Sequence, residues 1–171
     1  RLNPRDARAR NDLGVLLEKE GDTAGAKQCY QAALEANPDF ILARVNLAEV
    51  LAKEGDTAGA VAEYGRIVAA APDSAEHHYN LARHLALAGR ADEAGAAYRR
   101  ALELNPKELR AWNNLGLLCA EQGETAEAEA AYRAALAAAP DYTLARANLG
   151  NLFMDTGRFA EGVAVYEEGI A

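Results

Sequence analysis

The sequence predicts an all-α fold: helix pairs of 34 residues stacked one on the next as a solenoid. Three observations carry this. Pro4, Pro38, Pro72, Pro106 and Pro140 stand 34 residues apart, and so do Leu13, Leu47, Leu81, Leu115 and Leu149. Gly21, Gly55, Gly89, Gly123 and Gly157 keep the same period, as do Tyr30, Tyr64, Tyr98, Tyr132 and Tyr166. Four residue types do not fall into one register by chance, so the chain reads as an array of repeats. Second, nearly half of the apolar residues are Ala, 41 of 171 residues in the chain, while Leu, Ile, Val and Phe together number 34. So few large side chains suit thin helical layers packed through Ala better than one round core. Third, the apolar spacing within each unit is that of a helix.

The unit starting at Leu109 shows each element in order. Trp112, Leu115, Gly116 and Cys119 lie at i, i+3, i+4 and i+7, one face of a first helix. Gly123 stops it, because Gly tolerates the left-handed position past a helix end. Ala128, Ala131, Tyr132 and Ala135 form the stripe of a second helix, which ends before Pro140. Asp141 then supplies a negative charge where the next helix starts. Neither helix buries its face alone. Residues 19–26 and 53–60 are identical, KEGDTAGA.

This unit resembles the tetratricopeptide repeat (TPR), whose pattern is W-x2-L-G-x2-Y, then A-x3-F, then P. Here it reads Trp112-x2-Leu115-Gly116-x2-Cys119, Ala128-x3-Tyr132 and Pro140. Arg10, Arg44, His78 and Arg146 replace the Trp elsewhere, and Leu17, Leu51, Leu85 and Phe153 replace the Tyr. The resemblance implies a right-handed superhelical solenoid of antiparallel helix pairs over residues 1–171. Repeats are expected at 7–40, 41–74, 75–108, 109–142 and 143–171. Residues 1–6, with Leu2-Asn3-Pro4, read as the tail of a preceding repeat, and the last repeat reads as truncated. Gly162 and Gly169 replace residues that are mostly Ala in earlier second helices, so residues 159–171 are expected to be the least stable. The Ala-, Arg- and Gly-rich usage suggests a bacterial source.

Several functions are disfavoured. A formal charge of −8 and a pI near 4.9 do not suit a phosphate-backbone binder. No apolar run reaches the ~20 residues needed to span a membrane. Cys29 and Cys119 lie almost three units apart, too far for a disulfide, and suit a cytoplasmic protein. His77, His78 and His84 share one first helix without the i, i+4 spacing of a metal site. No Gly-rich phosphate loop and no nucleophile motif occur, and the acidic pairs sit on solvated faces with no pocket to separate their pKa values. No enzyme activity, cofactor or metal is expected.

The informative surface is the stripe of each first helix opposite the packing face, at the second, fifth, sixth, ninth and thirteenth positions of the repeat. By the resemblance it lines the concave side of the superhelix. The sixth positions read Asp12, Asn46, Asn80, Asn114 and Asn148. Asn both donates and accepts, so this ladder either holds the backbone of an extended peptide or bridges neighbouring helices. Leu42, Val45 and Tyr79 offer an apolar patch, Arg83 and Arg110 favour acidic ligand residues, and Leu117 and Asn151 complete the groove. No Lys or Arg occupies a fifth or sixth position, so the carboxylate clamp known in the family is not expected. The partner is expected to be a protein or peptide, without nucleic acid or membrane insertion. The alternatives are a substrate-presenting arm of a larger enzyme, such as a glycosyltransferase, and self-association end to end.

Overall fold

A computed structural model describes residues 7–169, which contain ten helices and no strand. They are α1 (Ala7–Lys19), α2 (Thr23–Ala36), α3 (Ile41–Lys53), α4 (Thr57–Ala70) and α5 (Ala75–Leu87), then α6 (Ala91–Leu104), α7 (Leu109–Glu121), α8 (Thr125–Ala138), α9 (Thr143–Asp155) and α10 (Phe159–Glu167). The expected tail at residues 1–6 and the final residues 170–171 lie outside the described residues.

The chain divides into two compact units, Arg1–Ala88 and Gly89–Ala171. In the first, α1 packs on α2, α2 on α3, α3 on α4 and α4 on α5, with α1 also touching α3. The second repeats the scheme from α6 to α10, with α7 touching α9. Within each unit the helices therefore pack chiefly on their neighbours in sequence, as a repeat array requires.

The local signals explain the elements. Gly21, Gly55, Gly89, Gly123 and Gly157 all adopt positive φ, between 72° and 85°, and no other described residue does. Their register is the register of the turn that folds each first helix back onto its second. In the duplicated octapeptide, Asp22 and Asp56 cap α2 and α4 by accepting from the Gly25 and Gly59 amides at 2.9 and 2.8 Å. Asp141 makes no such cap: Tyr142 is the N-cap of α9 and gives no side-chain bond.

The core is built from the same register. Tyr30, Tyr64, Tyr98 and Tyr132 are buried, as are Ala26, Ala60, Ala94 and Ala128 four residues before them. Glycine permits the closest approach: a Cβ on Gly116 would lie 2.5 Å from the Tyr132 ring. Leu13, expected to face inward, is 42% exposed, because no described helix packs over that side of α1, whereas its equivalents Leu47, Leu115 and Leu149 are buried. Gly162 differs from its expected role as a weak point. It is buried where α10 meets α9, and a Cβ there would come within 3.1 Å of Met154 Sδ and 3.3 Å of the Gly150 carbonyl. Gly169 lies beyond the end of α10 and costs that helix nothing.

Candidate functional site

The exposed stripe of the first helices contains two copies of one hydrogen-bond relay. In the first unit, Asn46 Nδ2 donates to Asn11 Oδ1 at 2.8 Å, and Asn11 Nδ2 donates to Asp12 Oδ1 at 3.3 Å. In the second, Asn148 Nδ2 donates to Asn113 Oδ1 at 2.8 Å, and Asn113 Nδ2 donates to Asn114 Oδ1 at 3.3 Å. The rule is the same in both: a sixth-position Asn bonds the fifth-position Asn of the repeat before it. Asn11 and Asn113 are buried, at 1% and 6% exposure, so their amides need these partners. The ladder residues Asn46, Asn80, Asn114 and Asn148 are half-buried, and Asp12 is exposed.

At Val45 the relay breaks. Val45 precedes Asn80 in register and has no polar group. Among the described residues the Asn80 amide has no hydrogen-bond partner, and the carbonyl oxygens of Asn46 and Asn148 are also unused.

The other stripe residues divide. Leu42 is 54% exposed and Val45 half-buried, but Tyr79 is buried, so the patch expected from these three is open mainly at Leu42. In the second unit Leu117, Leu144 and Asn151 stand exposed. Arg83 is ion-paired with Glu49 at 3.0 Å, and Arg110 with Glu108 at 2.8 Å. Both guanidiniums are therefore partly neutralised within their own unit, which weakens the acidic preference expected of them. Asn151 Oδ1 accepts from the Tyr166 hydroxyl at 2.7 Å.

Two features were not read from the sequence. The first is a latch on the turn between repeats. Arg44 Nη2, His78 Nε2 and Trp112 Nε1 donate to the carbonyls of Pro38, Pro72 and Pro106 at 2.5, 2.9 and 2.9 Å, and Arg146 reaches Pro140 in the same way. Three residue types at one position share only an N–H at the right reach. The shared signal was a donor six residues after each proline. The second is a carboxylate cluster on tyrosine hydroxyls. Tyr30 donates to Glu18 at 2.9 Å and Tyr64 to Glu49 at 2.6 Å. Burial and the neighbouring carboxylate push both phenols above their ordinary range. Burial also pushes the Glu49 carboxyl up, but the Tyr64 hydroxyl and the Arg83 guanidinium outweigh it and hold it below the usual value.

Among the described residues no group of three or more His, Cys, Asp or Glu is arranged to hold a metal ion, and both cysteines are free thiols. Cys119 is buried, which pushes its thiol pKa up, the reverse of an activated nucleophile. No helix among the described residues is long and apolar enough to cross a membrane.

Comparison with known proteins agrees with this architecture. Family models described as tetratricopeptide repeat match residues 1–39, 19–74, 45–108 and 96–143, and a further one matches 120–171. No curated protein matches the chain. Among solved structures, MamA superposes with a TM-score of 0.88 at 24% identity, covering 96% of this chain and 90% of that one. YrrB, described as a TPR protein with an unusual peptide-binding site, superposes at 0.80 with 21% identity over 98% of this chain and 87% of its own. A thermophilic TPR protein of Thermus thermophilus, TTC0263, gives 0.66 at 26% identity over 96% and 90%. These likenesses show the fold class: an all-α solenoid of antiparallel helix pairs.

Proposed function

Because the chain belongs to the tetratricopeptide repeat family, we propose that it is a non-catalytic protein-interaction scaffold that holds extended peptide on the first-helix stripe of each unit. The family fold supports a protein or peptide partner, and the repeats run 7–40, 41–74, 75–108, 109–142 and 143–171. The observation that carries the reading is the asparagine relay. It fixes the rotamers of Asn46 and Asn148 through their amide nitrogens and leaves their carbonyl oxygens unused. A fixed acceptor loses little entropy when a peptide N–H reaches it. Asn80 adds a donor and an acceptor, and Leu42 in one unit and Leu117 and Leu144 in the other offer apolar contact. The two readings of the ladder thus become one: the bridge between helices is what orients the binding groups.

Each such bond contributes only about 0.5–1.5 kcal/mol net, so affinity needs several in register and at least one apolar anchor. The described peptide-binding site of YrrB is consistent with this use of the fold. Recognition through peptide backbone requires neither a cofactor nor a nucleic acid, and the free thiols suit the cytoplasm. The test is photo-crosslinking of dodecapeptides selected from a random library, followed by mass spectrometry. Crosslinks are expected in α1, α3, α5, α7 and α9. Crosslinks confined to the second helices contradict the reading.

A second reading, self-association through the end helices, rests on its own observation. Leu13 and Leu16 of α1 are 42% and 57% exposed, and Val163 and Tyr166 of α10 are 51% and 39% exposed. The residues in the same registers elsewhere, Leu47 with Val50 and Val61 with Tyr64, are buried. One copy's α1 on another's α10 would bury both sets. Sedimentation velocity tests it: a mass that does not rise with concentration removes this reading.

A further inference from the structure

One junction in the first unit is polar where its counterparts are apolar. The third and tenth positions of a first helix are Ala43 and Val50 in α3, Ala111 and Leu118 in α7, and Ala145 and Leu152 in α9, all buried. In α5 these positions hold His77 and His84. His84 is 1% exposed and stacks on Tyr64 of α4, with ring centroids 4.9 Å apart and an interplanar angle of 18°.

The groups that face His84 come from three helices. Glu49 of α3 has its Oε1 3.4 Å from His84 Nε2. Tyr64 of α4 donates its hydroxyl to that same oxygen at 2.6 Å. Arg83, on α5 itself, places Nη2 3.0 Å from both Glu49 Oε1 and His84 Nε2. Glu76, also on α5, acts electrostatically on Tyr64. A guanidinium only donates. Neutral His84 therefore accepts from Arg83 at Nε2 and carries its proton on Nδ1, which is buried without a partner. Protonation removes the acceptor and sets a second cation against Arg83. The one adjacent carboxylate, Glu49, already takes bonds from both Tyr64 and Arg83.

We infer that the α4–α5 junction is a proton-sensitive seam: acidification loosens α5 from α3 and α4. The direction follows from the surroundings. Burial and then Arg83 lower the His84 pKa, and the opposing pull of Glu49 does not cancel them. The unfolded ring thus binds a proton more readily than the folded one. The stabilisation is complete above the ordinary histidine value of about 6.5 and is lost as pH falls from there through the lowered folded value.

Amide hydrogen exchange at pH 7.5 and 5.5, corrected for intrinsic rates, reads this directly. Both values lie above the ordinary carboxylate range. α2, in the same unit and free of histidine, is the internal reference. At pH 5.5 the protection of residues 78–87 relative to α2 should fall, by up to about tenfold, the limit set by the one pH unit between 5.5 and the ordinary histidine value. His84→Leu, which installs the residue type of Leu118 and Leu152, should hold the ratio constant, and His84→Gln, polar but without a titrating proton, should do the same. An unchanged ratio in the parent protein overturns the inference. So does an equal fall in the two variants, which would assign the effect to other groups on α5, His77 and His78 included.

Discussion

Asn46 Nδ2 lies 2.8 Å from Asn11 Oδ1, 35 residues earlier, and this bond helps tie α3 to α1 on the face proposed to bind a ligand. Asn11 is 1% exposed, so its carbonyl oxygen has no solvent to fall back on. Asn46→Ala should therefore destabilise the protein by about 1–3 kcal/mol, the cost of orphaning a buried polar group. Asn80→Ala removes no internal bond and should stay within about 0.5 kcal/mol of the parent. Urea denaturation of the two variants side by side checks the contrast. Equal stability would mean that the relay carries no structural weight.

The latch between repeats predicts a small, conservative effect. Trp112→Phe keeps an aromatic ring but loses the donor to the Pro106 carbonyl. Stability should fall by about 0.5–1.5 kcal/mol. Trp112→Arg, copying Arg44 and Arg146 at the same position, should recover part of that loss in thermal denaturation. If Phe and Arg behave alike, the shared donor is incidental.

Two glycines should respond to Ala with opposite signs. Gly123 has φ 78°, and a side chain there meets the left-handed penalty of about 1–2 kcal/mol, so Gly123→Ala should lower stability. Gly65 lies inside α4, and a methyl added to its Cα would meet nothing within 4 Å. Gly65→Ala should therefore raise stability by up to about 1 kcal/mol through helix propensity. Melting temperatures of the pair decide it.

Within the second unit α10 should exchange its amides fastest. It spans 9 residues and buries only Gly162 and Val165, against Ala128, Ala131, Tyr132 and Ala135 in α8. Gly162→Ala should not slow that exchange, because the added methyl would meet the Gly150 carbonyl and Met154. Protection of α10 equal to that of α8 would contradict this.

The periodic residues made the fold legible. Pro and Gly mark chain reversals by backbone geometry alone, and Tyr with Ala marks the buried stripe, so each signal is local and repeats. The stripe of the candidate site was legible for the same reason. What each stripe residue does there was less so, because it depends on a partner one repeat away. Asn46 and Asn148 look alike in a column with Asn80, yet only the first two meet an Asn at the fifth position of the preceding repeat. Arg83 reads as a free cation until Glu49, at the same register one repeat earlier, is seen 3.0 Å away. Tyr79 reads as an open aromatic but is buried. The latch escaped notice because Arg, His and Trp share no composition, only an N–H.

The central claim is that ligand binding occurs on the first-helix stripe through its asparagine ladder, and isothermal titration tests it most directly. Dodecapeptides selected from a random library would be titrated into the parent protein, into Asn80→Ala/Asn114→Ala, and into Glu35→Ala, which changes an exposed second-helix residue. Micromolar binding, near −8 kcal/mol, is expected for the parent and for Glu35→Ala. The double variant should bind at least tenfold more weakly while keeping its helical circular dichroism. A double variant that binds every selected peptide as tightly as the parent would contradict the account.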